Sequence, residues 1–198
     1  MEDIFDLTKK LEHILEQENV NIIKMFNDGV NQEYLKNIMG EKILVLPDCV
    51  YELYNWKNGV PVSEVKIGES ALFNHSIFIP FEYSWISYRY FSTKSYYLNG
   101  KDYFPLFFDG GGVYCLIDIN KTSENYKTIY EYDVSAIDHE NFISKYDSIE
   151  CLLKSVIECF LNGVYKFQLE TKMIEVDYEK ETQIFRKYNP KSKYWTLI

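Results

Sequence analysis

Three consecutive glycines, Gly110 to Gly112, follow Asp109 and give this chain its best sequence candidate for an anion-binding loop. Glycine lets backbone amides approach a phosphate closely, so such a run can cradle one. A phosphate loop, however, needs a lysine and a serine or threonine that open a helix after the glycines. The segment from Val113 to Ile119 instead alternates like a strand. We therefore interpret residues 109–112 as the turn of a β-hairpin.

Histidines are the next residues that could do chemistry. His13, His75 and His139 are far apart in the sequence, and only His139 has adjacent acids, Asp138 and Glu140. That cluster could bind a metal or transfer protons, but a solvated loop explains it better. The thirty carboxylates offer many possible pairs, and nothing in the sequence selects one.

The cysteines lie in apolar segments and lack the CxxC spacing of metal sites. This placement favours buried free thiols over disulfides or a zinc site. The four residues are Cys49, Cys115, Cys151 and Cys159. From the histidines, cysteines and glycines together, we expect no catalytic residue, no cofactor and no metal.

The net charge of −9 is unevenly distributed along the chain. Residues 109–163 carry ten acids and four lysines, a balance of −6, whereas residues 164–198 carry +2. Nucleic-acid binding is disfavoured, because it depends on lysines and arginines that displace counterions, and this chain has two arginines. The charge either promotes solubility or attracts a basic partner. In the second case, we expect Asp109, Glu131 and Asp133 to contact the partner.

Elements that position these residues can be predicted from hydrophobic spacing. Asn31 and Gly40 bracket a short helix, and Pro47 and Gly59 bracket another in which Trp56 is expected to be core. The stretch from 62 to 81 predicts one or two strands. An N-terminal helix is predicted from the apolar stripe of Ile4, Leu7, Leu11, Ile14 and Leu15.

The second half of the chain predicts a strand over 128–133 and then two helices. Asp147 and Glu150 form a possible capping box for the first helix, which should end at Asn162-Gly163. The second helix should stop at Asn189-Pro190. The stripe of the first helix is Ile149, Leu152, Leu153, Val156, Phe160 and Leu161. Tyr194 and Trp195 are expected to fold back onto the body.

This order of elements predicts an α+β fold with a central antiparallel β-sheet flanked by N-terminal and C-terminal helices. At 198 residues, one domain is the default, since a chain of this length can bury about 70% of its unfolded surface in one core.

Three segments, in order, resemble the SUKH superfamily, which includes bacterial immunity proteins and fungal cell-wall assembly regulators. They are residues 46–59, the glycine hairpin over 104–118, and residues 147–153 with 163–165. The positions that match the family motifs are Leu46, Pro47, Trp56, Gly59, Gly110 and Gly111. The chain departs from the pattern after the glycines, where many members have Asn or Asp and this chain has Gly112 and Val113.

The resemblance covers roughly residues 20 to 165. It implies a single SUKH-like domain over 1–198, with 166–198 a C-terminal extension packed on it. It also implies a helix over 81–95, after Pro80, where alternating aromatic residues would otherwise favour a strand.

Many SUKH members are immunity proteins, so the resemblance implies a non-catalytic protein that neutralises a cognate toxin, which we expect to be a basic nuclease. The alternatives are an interaction scaffold like the fungal members, or a binder of small ligands at the glycine loop. No apolar run reaches the ~18 residues that span a bilayer, and the first residues are acidic. We therefore expect a cytoplasmic protein that binds neither membrane nor nucleic acid.

Overall fold

The computed structural model describes residues 3–18, 20–41, 44–94, 98, 100–135 and 142–197. In chain order, the elements of the first part are α1 (Ile4–Gln17), α2 (Gln32–Met39), α3 (Asp48–Trp56), β1 (Ile77–Phe78), α4 (Phe81–Lys94), β2 (Tyr103–Phe108) and β3 (Val113–Asp118). They are followed by β4 (Ile129–Asp133), β5 (Phe142–Tyr146), α5 (Ile149–Leu161), β6 (Tyr165–Gln168), β7 (Met173–Val176), α6 (Tyr178–Tyr188) and α7 (Lys193–Leu197).

The fold is α+β, as the order of elements predicts. Strands β1 to β5 form one antiparallel sheet in sequential order, and β6 pairs with β7 in a separate hairpin. Helices α1 to α3 precede the sheet and α5 to α7 follow it in the chain. Helix α1 packs against α5 and α3, so the two ends of the chain share one core.

The two faces of the sheet are both covered, to different extents. Cys115 and Ile117 of β3 point into the main core, together with Ile129 of β4. Tyr114 and Leu116 point to the opposite face, where Phe91 of α4 covers them. The alternation along residues 113–119 therefore correctly predicts a strand, whose successive side chains point to opposite faces of the sheet.

The segment between α3 and α4 explains why Asn58 and Gly59 stand in sequence after α3. The buried side chain of Asn58 accepts a hydrogen bond from the backbone N–H of Phe81 at 2.8 Å, at the start of α4. Its amide group donates to Glu82 at 3.2 Å. Gly59 has a φ of +62°, and its backbone passes directly over the Ile79–Pro80 peptide. These contacts hold the start of α4 against the segment that follows α3.

The sequence predicts where the helices lie better than it predicts the residues at which they begin and end. The stripe of α1 is buried throughout, and α4 is a helix, as the SUKH resemblance implies. Pro47 precedes α3 as its N-cap instead of occupying its first turn. Trp56 is only half-buried, because its indole N–H reaches out to the Glu12 carboxylate at 3.2 Å.

The cap of α5 is a correction to the sequence analysis. Ser148, and not Asp147, is the N-cap, and its hydroxyl accepts a hydrogen bond from the N–H of Cys151 at 3.2 Å. Asp147 instead connects to the C-terminal segment: its N–H donates to the side-chain oxygen of Asn189, and its carboxylate accepts from the N–H of Lys191. Leu161, expected in the buried stripe, is exposed at the end of the helix.

Strands are predicted less well. The stretch from 62 to 81 contains the short strand β1 and a 3-10 turn at Val62–Glu64, instead of long strands. Strand β5 and the β6–β7 hairpin have no counterpart in the sequence analysis. The C-terminal aromatic residues do fold back, since Trp195 is buried and stacks on Phe185 with ring centroids 4.5 Å apart.

A buried carboxylate lies where α6 meets the rest of the chain. Glu181 is 2% exposed and accepts hydrogen bonds from the Tyr165 hydroxyl and, at 3.1 Å, from the Asn74 amide. Burial raises the pKa of Glu181, although both hydrogen bonds act in the opposite direction. The folded protein therefore binds a proton at this site more tightly than the unfolded chain does.

The raised pKa predicts how stability depends on pH. The stabilisation from protonated Glu181 is complete below the unfolded pKa of 4.5 and is lost as pH rises through the folded value. Glu181→Gln removes that loss, so the free energy of unfolding should fall less with rising pH than in the wild type. Urea unfolding followed by circular dichroism from pH 4 to 8 measures the difference. Glu179→Gln, exposed on the same helix, is the control, and equal slopes in all three proteins would contradict the prediction.

Candidate functional site

The glycine turn is held closed by its own aspartate. One carboxylate oxygen of Asp109, Oδ1, accepts hydrogen bonds from the N–H groups of Gly111, Gly112 and Val113 at 2.7 to 2.9 Å. Gly110 and Gly112 have φ values of +87° and +121°, a region that favours glycine. The three N–H groups that an anion would need are thus already bound by an anionic side chain. This geometry argues against the phosphate-loop interpretation.

Asp133, at the end of β4, also forms a turn with its own backbone. Its Oδ1 accepts hydrogen bonds from the N–H and the hydroxyl of Ser135, at 2.8 and 2.7 Å. These bonds lower the pKa of Asp133, the hydroxyl contributing most, so the carboxylate stays ionised. The side chain is fixed in one orientation by short-range contacts.

Glu131 lies on β4, two residues before Asp133, and has a different environment. Its carboxylate forms an ion pair with the ammonium group of Lys145 on β5, at the edge of the main core. The ammonium also lies 4.6 Å from the centre of the Tyr194 ring. The Glu131 carboxylate, whose side chain is 24% exposed, is therefore already paired within the protein, and its role as a partner contact stays a prediction.

Asp109 and Asp133 are the two predicted contact residues that the fold brings to the same end of the sheet. The N–H of Val134 donates to the carbonyl of Gly112 at 3.1 Å, which joins the end of β4 to the glycine turn. Each aspartate uses Oδ1 inside its turn. Within the described residues, no hydrogen bond or ion pair is made by either Oδ2 atom.

The remaining motif residues are structural. Leu46 and Pro47 are buried where the chain enters α3, and Gly59 makes the close approach described above. Gly110 permits the positive φ of the turn, and Gly111 leaves room beside the Asp109 carboxylate, where a Cβ would lie 3.2 Å from Oδ2.

Exposed apolar side chains surround this end of the sheet, and sequence analysis did not identify them. Ile67 is 71% exposed and lies over Gly110, and Val134 is 47% exposed and lies over Gly112. Isolated apolar residues in a loop give no periodic signal, so only the fold could place both of them against the glycine turn. We call Ile67, Val134, residues 110–112, Asp109 and Asp133 the hairpin-end surface.

Cysteine chemistry is suppressed by burial. All four cysteines are free thiols, and Cys151 alone is only partly buried. Burial raises the pKa of Cys49 to about 12 and that of Cys115 to about 11. These thiols stay protonated at neutral pH and are poor nucleophiles.

Metal binding and a membrane-spanning helix each require a particular arrangement of residues. The part of the chain that the structure describes contains no group of three or more histidine, cysteine or acidic side chains arranged to hold a metal ion. Its helices are too short or too polar to cross a bilayer. The residues Asp138, His139 and Glu140, which the sequence analysis considers as a cluster, lie outside the described residues.

The chain matches no protein-family model and no curated protein. The SUKH resemblance therefore rests on the three sequence segments alone.

Proposed function

We propose that this protein is a non-catalytic immunity protein, which binds and neutralises a basic toxin of a bacterial polymorphic toxin system in the cytoplasm. The observation that carries the proposal is the pair of fixed carboxylates, Asp109 and Asp133, at one end of the sheet. Each has Oδ1 bound in its own turn, while its Oδ2, the open oxygen, makes no hydrogen bond or ion pair with any residue that the structure describes. The motif resemblance to SUKH immunity proteins supports the same function.

Fixed carboxylates suit an inhibitor that must bind tightly. An exposed acidic side chain normally loses rotamer freedom when a lysine or arginine binds it. Asp109 and Asp133 have lost that freedom on folding, because their turns hold them in place. The net charge of −9 adds a long-range attraction for a cationic protein and accelerates its encounter.

Co-expression tests the function directly. The toxin encoded beside this gene should stop bacterial growth when expressed alone, and this protein should restore growth by forming a complex that can be purified. Restoration without a complex, or a complex without restoration, would contradict a stoichiometric inhibitor. Failure of both would overturn the proposed function.

A double variant, Asp109→Asn/Asp133→Asn, tests the role of the two charges. Asparagine retains the Oδ1 acceptor, so both turns should form while the open oxygens lose their charge. We expect the association rate constant with the toxin to fall roughly three- to tenfold at low salt. Stopped-flow fluorescence measures that rate.

The matched control for these charges is Glu16→Gln/Glu33→Gln, which removes the same number of negative charges at exposed helix positions distant in sequence from Asp109 and Asp133. It should slow association less than the aspartate variant does. Equal slowing by both variants would mean that net charge alone attracts the toxin.

A further inference from the structure

The hairpin-end surface has an apolar centre that is held against backbone. The Cγ1 atom of Ile67 lies 2.8 Å from where a Cβ of Gly110 would be, and the Cγ2 atom of Val134 lies 3.2 Å from the corresponding point on Gly112. Both side chains rest on glycines instead of projecting freely. Contact with the turn restricts both side chains on one side before any partner arrives, which reduces the entropic cost of binding.

The apolar surface continues beyond the hairpin. Gly68 follows Ile67 in sequence, and the thioether sulfur of Met173 lies 3.2 Å from where a Cβ of Gly68 would be. Met173, on β7, is itself 41% exposed. An unbranched, polarizable methionine at the border can adapt to the shape of a partner.

The negative charge of the hairpin-end surface indicates which kind of molecule binds there. Asp109 and Asp133 border the apolar centre, and the open oxygens of both require a cationic neighbour once water is excluded. A second copy in a two-fold dimer would bring the same two acids of both copies into one interface, with no cation supplied by this surface. Nucleic acids and anionic membranes would be repelled. A basic protein that presents an apolar side chain between lysines or arginines fits both features.

We propose that Ile67 and Val134 form the centre of the toxin-binding interface, and that Asp109 and Asp133 receive cationic side chains at its border. This inference rests on the proposed function and assigns it a location. Buried apolar anchors surrounded by polar contacts carry most of the binding energy in protein interfaces.

Charge-swapped variants at one position test the location and the partner's charge together. Ile67→Glu and Ile67→Lys remove the same apolar contact and add opposite charges. Against the purified toxin carrying an inactivating substitution, isothermal titration calorimetry should give about 30-fold weaker binding for Ile67→Glu and at least about 100-fold for Ile67→Lys. Val134→Ala should weaken binding about tenfold.

Ile86→Lys on α4 is the matched control, because Ile86 is 64% exposed and lies outside the hairpin-end surface. It should bind within about threefold of the wild type. Circular dichroism and thermal unfolding establish that each variant is folded. If the Ile67 variants do not fold, Val134→Ala still tests the location, because it changes the structure least.

The outcomes separate the location from the function. If the wild type binds the toxin and the Ile67 and Val134 variants bind equally well, the location is wrong and the function stands. Equal weakening by Ile67→Glu and Ile67→Lys would contradict a cationic partner at this position. Concentration-dependent dimers of the wild type that Ile67→Glu abolishes would assign the surface to a second copy. A wild type that does not bind the toxin would overturn the proposed function, and the location with it.

Discussion

Gly59→Ala is expected to destabilise the protein by roughly 4 kcal/mol, from backbone strain of about 1–2 and overpacking of about 1–3. The φ of +62° at Gly59 is unfavourable for alanine. In addition, the new Cβ would lie 2.4 Å from the carbonyl carbon of Ile79 and 2.6 Å from the nitrogen of Pro80. Neither atom can move without displacing β1 or α4. Urea unfolding followed by circular dichroism measures the loss.

Gly163→Ala is the matched control for Gly59→Ala. Its φ of +64° is nearly the same, but the new Cβ would meet only the flexible end of Lys166, at 3.7 Å. We expect a loss of about 1–2 kcal/mol from backbone strain alone. Equal losses for the two variants would contradict the close approach of Gly59 to the Ile79–Pro80 peptide.

Glu131→Ala should cost about 3 kcal/mol, the lower end of the effect of breaking a buried ion pair. The variant leaves the Lys145 ammonium, whose side chain is only 13% exposed, without its carboxylate. The Glu131 side chain is 24% exposed, which limits the effect. The same unfolding measurement applies. Glu69→Ala, which removes an exposed pair with Lys66, should change stability by less than about 1 kcal/mol.

The double variant Glu131→Leu/Lys145→Met distinguishes the loss of the ion pair itself from the cost of leaving one of its charges unpaired. Replacing both partners by apolar residues of similar size removes the unpaired ammonium, so most of the lost stability should return. The double variant should also bind the toxin like the wild type, because the Glu131 carboxylate is already paired with the Lys145 ammonium. Weaker binding by the stable double variant would instead support the predicted role of Glu131 as a contact residue.

The sequence predicts those parts of the fold in which local pattern and burial agree. The stripe of α1, the glycine hairpin and the α5 helix are each encoded within one segment by periodicity or turn residues. Strand β5 was missed because its pattern is short and its position depends on pairing with β4. The cap of α5 was assigned to Asp147 instead of Ser148, since both residues are good caps and only tertiary contacts of Asp147 with the C-terminal segment decide between them.

The candidate site is likewise predicted from the sequence only where local pattern determines it. Asp109 and Asp133 stand beside turn residues, so their placement near the hairpin could be predicted from sequence. The pairing of Glu131 with Lys145 depends on the register of two strands, and one of them was not predicted. Ile67 reaches the glycines from a loop about forty residues earlier, and no sequence pattern encodes that contact.

The salt dependence of toxin association tests the central claim most directly, because it measures electrostatic capture by Asp109 and Asp133 in one experiment. Stopped-flow association of the purified protein with the inactivated toxin should slow steeply as sodium chloride is raised, and less steeply for Asp109→Asn/Asp133→Asn. A rate that does not depend on salt, or an identical dependence in the variant, would contradict binding of a cationic toxin at the hairpin-end surface.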